Sequence, residues 1–230
     1  MVKFEPRTTL PMRGNIYYNR PTNPCILGNY PYDKYKTRTG YPGLNVLPNC
    51  VGWAVGRFNE IGGYGKCKWL GSTDAKNFID LAKKQGLKTG KTPKVGAVIV
   101  WSDATYGHVA VVEEVISSTK IRVSQSGWNY KKGAFWTAVH EKGDGSWTDG
   151  EDKSWMKGYT FLGFIYHPDV YELPKGAEWI KVKVEGKGIV EVPAINLNDN
   201  WYVMLRSFDN IMQVAKVGYD AKERLPIIID

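Results

Sequence analysis

Thiols and imidazoles are few in this sequence, and a cysteine paired with a histidine is the arrangement to look for. There are three cysteines, Cys25, Cys50 and Cys67, and three histidines, His108, His140 and His167. Cys50 follows Pro48-Asn49 and opens a run with small residues at Gly52, Ala54 and Gly56. Asn49 reads as an N-cap, which puts Cys50 in the first turn of a helix. Unpaired backbone N–H groups and the macrodipole there favour a thiolate and lower its pKa. Cys25 lies in a Pro-rich stretch and Cys67 in Lys66-Cys67-Lys68-Trp69. Neither is at a helix start, and both read as structural thiols. His108 follows Tyr106-Gly107 and opens Val109-Ala110-Val111-Val112. A strand there would hold its imidazole rigidly, as a general base requires. His140, before Glu141-Lys142-Gly143, and His167, before Pro168, read as surface histidines.

A cysteine and a histidine so placed suit attack on a carbonyl, provided a third group accepts the other imidazole N–H. Gln125, within Ser124-Gln125-Ser126-Gly127-Trp128, offers a side-chain oxygen. Glu113 and Glu114 are further candidates, and strand alternation puts Glu114 on the face of His108. Charged residues at a strand end are more often simply solvated. Metal chemistry is not expected, because the sequence has neither Cys-x-x-Cys nor His-Glu-x-x-His. No Gly-rich phosphate loop follows a strand: Gly62-Gly63-Tyr64-Gly65 follows a helix pattern and reads as its stop. No cofactor is expected.

The elements that must position these groups are legible in outline. Residues 1–48 are rich in Pro, Gly, Asn and Tyr without periodicity and read as an irregular wrapping segment. Cys50 to Asn59 reads as the first helix, packed tightly on a sheet through its small residues. Asp74 to Gln85 reads as a second, from Ala75, Phe78, Ile79 and Ala82 at i, i+3, i+4 and i+7. Gly96–Trp101, His108–Val115, Lys120–Ser124, Phe135–His140 and Tyr159–Tyr166 then read as strands. Helices first and strands after imply an α+β fold with N-terminal helices packed on an antiparallel sheet. His167 to Gly176 is framed by Pro168 and Pro174 and reads as a linker, so the expected domains are 1–170 and 171–230. The second should be small and β-rich, with strands at Trp179–Val184, Ile189–Val192, Trp201–Leu205, Val217–Tyr219 and Leu225–Ile229. A short helix is expected to carry Leu205, Phe208, Met212 and Ala215 on one face.

Composition narrows the partners. The 230 residues are 43% hydrophobic, 23% charged and 13% aromatic, with a net charge of +8. That is globular composition with enough apolar surface for a real core. Residues 171–230 hold 8 basic and 9 acidic side chains, so the remaining 23 basic and 14 acidic leave the first part strongly positive. A basic, aromatic-rich surface suits polyanions or polysaccharides. Charge permits nucleic acid, but no recognition motif supports it. Apolar runs such as Val95–Trp101 are far below the roughly 20 residues a spanning helix needs, so no membrane insertion is expected. Met1 to Arg7 contains no apolar h-region, so synthesis in the cytoplasm without a signal peptide is expected.

Four blocks in order resemble the CHAP (cysteine, histidine-dependent amidohydrolase/peptidase) domain over about residues 14 to 168. They are Pro48 to Arg57, Lys94 to Trp101, Gly107 to Glu113 and Ser124 to Trp128. Phe161-Leu162-Gly163-Phe164-Ile165-Tyr166 is similar to the closing strand of such modules in phage and prophage endolysins of Gram-positive hosts. The resemblance implies a papain-like fold that cleaves peptidoglycan amides, with Cys50 as nucleophile and His108 as base. Gln125 stands where the family usually has Glu, with Asn or Asp also used. Asn49 stands where many members have Gln, and an oxyanion contact is expected of it. The tail, through Val192-Pro193-Ala194-Ile195-Asn196, Trp201 to Arg206 and Val217 to Asp220, resembles the copper amine oxidase N-terminal-like (stalk) domain. The family usually has Asp where Ser207 stands. With no His or Cys in residues 171–230 this implies no copper, but a binding or spacing module for wall polymer or self-association.

These readings combine into a peptidoglycan hydrolase, an N-acetylmuramoyl-L-alanine amidase or a peptide endopeptidase. It would act on the cell wall after release or outside the cell. Trp53 and Trp128 are expected to touch substrate, with Trp101 and Trp136 as further aromatics of the cleft. The rival is a non-catalytic wall-binding or structural protein with a degenerate Cys-His site, supported by the neutral Gln125. A thiol transamidase acting on protein amides is a third option.

Overall fold

The computed structural model describes residues 2–25, 43–128, 133–173, 175–184, 187–197, 200–203, 216–220 and 225–229. The chain forms two compact units, one of Val2–Val170 and one of Tyr171–Asp230 with Met1.

In the first unit, a 3-10 turn at Ile16–Tyr18 is capped by the Asn15 side chain. Helix α1 (Cys50–Gly62) begins as the cap residue requires. The Asn49 side chain accepts from the Val51 and Gly52 N–H groups, satisfying two donors that the helix start leaves open. Gly63, at φ 65°, ends the helix in the left-handed conformation. The second helical segment is split. Ala75–Asn77 is a 3-10 turn and α2 (Phe78–Lys84) follows it.

Seven strands follow: β1 (Thr89–Gly90), β2 (Val98–Ser102), β3 (His108–Ser117), β4 (Lys120–Gln125), β5 (Trp136–Glu141), β6 (Asp149–Gly150) and β7 (Thr160–Ile165). Their order in the sheet is β1-β7-β2-β3-β4-β5-β6, and every pair is antiparallel. The unit is α+β with a sheet-rich character. Alternation gives the sheet two apolar faces. Val98, Val100, Val109 and Val111 join the core beneath α1, with Trp53, Ala54, Val55 and Phe58. Ile99, Trp101, Ala110, Val112, Ile121 and Val123 join a second core closed by Trp147 and Met156. His108 and Gln125 share this second parity.

The small residues of α1 serve the N-terminal segment rather than the sheet alone. A methyl group at Gly56 would come within 2.7 Å of the Tyr18 ring, and one at Gly52 within 2.7 Å of the Val46 carbonyl. A buried ionic network fastens the same helix to β3. Arg57 grips Glu113 with two bonds of 3.0 Å and reaches Glu60 at 3.2 Å, and Arg7 reaches Glu60 at 2.6 Å. Ser124 donates to Glu113 at 2.7 Å, and Trp53 Nε1 donates to Ser124 at 3.1 Å. The network therefore runs from α1 through β3 to β4.

The expected linker is only partly a linker. His167, expected at the surface, is buried. Its Nε2–H donates to the Phe58 carbonyl at 2.7 Å and its Nδ1 accepts from Asp169 N at 3.1 Å. His140 is also buried, contrary to expectation, and its Nδ1–H donates to the Trp147 carbonyl at 3.0 Å.

The second unit is a five-stranded sheet of β8 (Ala177–Val184), β9 (Gly188–Leu197), β10 (Asn200–Val203), β11 (Lys216–Asp220) and β12 (Leu225–Ile229), ordered β10-β9-β8-β12-β11. Its β8–β12 pair is parallel and its other pairs are antiparallel. Val182, Val192 and Ala194 are buried. The short helix expected over Leu205 to Ala215 lies outside the described residues. Among the described residues, no helix is long and apolar enough to cross a membrane.

Candidate active site

The start of α1 and the start of β3 meet at the candidate site. The loop before β3 is fixed by Asp103, whose carboxylate accepts from Thr105 N at 2.7 Å and Gly107 N at 2.8 Å. Gly107 has φ +79°, and a Cβ there would come 2.4 Å from the Trp101 carbonyl oxygen. Only glycine suits this turn, which delivers His108 to the strand. At the helix side, the Asn49 N–H donates to Ser126 Oγ at 3.0 Å. The residue after Gln125 is thereby tied to the residue before Cys50.

His108 is buried between aromatic rings. Trp101 stacks on it at 5.9 Å, and Trp155 meets it edge-on at 4.6 Å. Tyr159 lies 6.3 Å from it and stacks on Trp155. Its Nε2 bonds Gln125 Oε1 at 2.8 Å. An amide oxygen can only accept, so Nε2 carries the hydrogen and Nδ1 is left as the basic nitrogen. Burial pushes the imidazole down to about 4. The Gln125 bond and the Asp152 and Asp103 carboxylates resist that push, and His140 adds to it.

Cys50 is half-buried at the helix start, and burial pushes its thiol up to about 11. The backbone N–H groups of Val109, Val51 and Cys50 itself pull the other way, and Asp103 adds to the rise. The thiolate expected from the helix start is thus corrected. Desolvation outweighs the N-terminal N–H groups, and the resting sulfur is protonated. Among the described residues no hydrogen bond joins this sulfur to the His108 ring. Their common neighbours are Val109, next in sequence to His108, Asp103, which acts on both groups, and Tyr159, which feels Cys50 and faces His108.

The structure brings His108 and Gln125 into contact and sets Cys50 beside the same strand start. Glu114 is not the partner of His108. The register shifts between Val112 and Glu114 and leaves Glu114 exposed with Arg122, while Glu113 keeps the parity of Val109 and Val111 and meets Arg57 of α1. The Asn49 side-chain oxygen is directed at the helix N–H groups. Trp53 is 0% exposed, stacked on Tyr18 at 5.0 Å and packed on Phe135, so the substrate contact expected of it is corrected to a core role. Trp101 is likewise buried, while Trp128, three residues after Gln125, is half-buried.

Sequence reasoning missed Asp152, Trp155 and Tyr159. All three come from the turn-rich stretch between β6 and β7. The buried Asp152 accepts from Gln125 Nε2 at 2.7 Å and from Trp136 Nε1 at 3.0 Å. No periodicity marks that stretch. Among the described residues no group of three or more His, Cys, Asp or Glu is placed to hold a metal ion.

Residues 38–127 match the family model of the CHAP domain, and the chain carries a CHAP domain over that stretch. Over 78 residues the chain is 37% identical to staphylococcal secretory antigen ssaA2 of Staphylococcus aureus (strain NCTC 8325 / PS 47), covering 33% of this chain and 27% of the relative. Over 79 residues it is 40% identical to staphylococcal secretory antigen SsaA of the same strain, covering 34% and 28%. The chain thus spans little more than a quarter of the length of these curated relatives. A crystal structure of N-acetylmuramoyl-L-alanine amidase from Staphylococcus aureus aligns over 52% of this chain and 32% of its own, at 22% identity and a TM-score of 0.33.

Proposed function

We propose that this protein is a peptidoglycan hydrolase of the endolysin type. It would cleave an amide at the muramoyl–alanine bond or within the peptides, with Cys50 as nucleophile and His108 as general base. The observation that carries the reading is the His108–Gln125 hydrogen bond beside a capped helix start bearing Cys50, inside the CHAP match. Gln125 fixes the tautomer that leaves Nδ1 basic.

The resting pair is a thiol and a neutral imidazole, so the proton leaves sulfur as the C–S bond forms. Nδ1 of His108 takes it and the thiolate adds to the amide carbonyl. Contacts of this kind tighten when substrate binds. The developing oxyanion takes the backbone N–H of Cys50, which Asn49 orients by capping the helix. Such a donor contributes roughly 3–4 kcal/mol. The imidazolium then protonates the leaving amine and a thioester remains on Cys50. Water, deprotonated by His108, attacks the thioester and releases the carboxylic acid and the thiol.

The basic first part should draw the enzyme to anionic wall polymers, and added salt should weaken the attack. Trp128 and Trp136, both half-buried, are the remaining tryptophans proposed to touch sugar. Residues 171–230 are proposed as a stalk-like module that binds wall polymer or a second copy of the chain. The test is mass spectrometry of fragments from purified sacculi. New L-alanine amines with intact cross-links identify an amidase, and cut peptides identify an endopeptidase. Release of neither would defeat the reading.

A further inference from the structure

The hydrogen-bond chain does not stop at Gln125. Its Nε2 donates to Asp152 Oδ2 at 2.7 Å, and the same oxygen accepts from Trp136 Nε1 at 3.0 Å and lies 3.6 Å from His140 Nε2. Asp152 and His140 are both buried. The His140 Nδ1–H is engaged with the Trp147 carbonyl, and its Nε2 makes no hydrogen bond of its own. Asp152 is itself anchored, since its carbonyl accepts from Trp155 N and Met156 N, both at 2.9 Å. The turn that carries the carboxylate thus also carries the Trp155 ring that meets His108.

We propose that Asp152 is a positioning residue for His108, acting through the Gln125 amide. An ionised carboxylate can only accept, so it fixes which end of the amide faces it. The amide oxygen then faces His108 and fixes the Nε2–H tautomer. The carboxylate also supplies, one residue removed, the negative charge that neutral Gln125 lacks. This accounts for glutamine at a position where the family usually has glutamate. A glutamate at 125 would set two buried carboxylates in contact, and such a pair cannot both ionise. Among the groups facing Asp152 are Gln125, Trp136 and His140; Gln125, His140, Asp152 and Asp103 act on His108, and Tyr159 faces its ring at 6.3 Å.

The proposal rests on the hydrolase reading for its kinetic arm, but not for its spectroscopic one. The test compares Asp152→Asn, Gln125→Glu and the near-isosteric double variant Gln125→Glu/Asp152→Asn in the full chain. Nitrogen NMR of the His108 ring reads the tautomer without substrate. The wild type should be the Nε2–H form, and Asp152→Asn should show a mixture, because an asparagine side chain can donate or accept. On soluble muropeptide each single variant should lose about 10- to 100-fold in kcat with KM nearly unchanged. Asp152→Asn should move the acidic limb of the pH profile downward, because a weaker negative field holds the imidazolium less. The double variant, with glutamate now directly on His108, should return to within about threefold of wild type. Two results would overturn the proposal. One is a His108 ring that stays wholly Nε2–H in Asp152→Asn. The other is a folded double variant no faster than its slower parent. If wild type leaves muropeptide intact, the hydrolase reading fails while the tautomer measurement still decides the role of Asp152.

Discussion

A thiol at about 11 and an imidazole at about 4 make the resting pair neutral throughout the physiological range. The perturbation that exposes this is pH, and the readout is alkylation of Cys50 by iodoacetamide without substrate. With the thiol four units above neutrality, roughly one sulfur in ten thousand is ionised at pH 7, and each further pH unit multiplies that fraction about tenfold. Only the thiolate is alkylated. The rate constant at Cys50 should therefore climb about a hundredfold, log-linearly, from pH 6.5 to 8.5. Timed quenching and peptide mapping separate the three thiols. Cys25, buried with its thiol on the Gly71 carbonyl, and Cys67, pushed up to about 12 by burial, serve as slow internal references. A plateau from pH 5 to 8 would mean a preformed thiolate–imidazolium pair. It would refute the reasoning that burial dominates at this helix start.

Two other outcomes follow from the packing around the site. Arg57→Ala leaves Glu113 buried without its bidentate partner and should cost about 3–5 kcal/mol. Urea denaturation of the folded chain measures it, and a loss under about 1 kcal/mol would show that the network does not dock α1 on β3. His108 and His167 are both pushed from 6.5 down to about 4 by burial. In that window the unfolded chain binds the protons that the folded chain refuses, so stability falls as pH drops from about 6.5 to about 4, by up to roughly 3 kcal/mol per histidine. Below about 4 this contribution is gone. His167→Gln should flatten part of the slope in a pH series of thermal melts, and an unchanged slope would contradict the assignment.

Much of the site was written in short-range signals. Asn49 before Cys50 announced a capped helix, Gly63 its end, and the alternating runs of β2, β3, β4, β5 and β7 were visible as strands. These are local effects, in which one side chain satisfies neighbouring backbone groups or shares a face with residues two positions away. What the sequence hid depends on distant contacts. The bulge after Val112 reverses the parity on which Glu114 was assigned to His108. His140 and His167 sit in polar contexts, yet a remote carbonyl accepts a bond from each and lets it be buried. Trp53 lies one turn from Cys50 but is fully buried, between Tyr18 and Phe135. Asp152 is 27 residues from Gln125 in a stretch with neither period nor motif, so only the fold reveals the contact. The rise of the Cys50 thiol has the same origin, because burial is not encoded in the helix start.

The central claim is that one sulfur does the chemistry, and the most direct measurement is new-amine release from purified Gram-positive sacculi. Wild type is compared with Cys50→Ala and Cys50→Ser, each shown by circular dichroism to be folded. Both variants should lose about a thousandfold or more of the rate. Variants that keep within tenfold of the wild-type rate would contradict it.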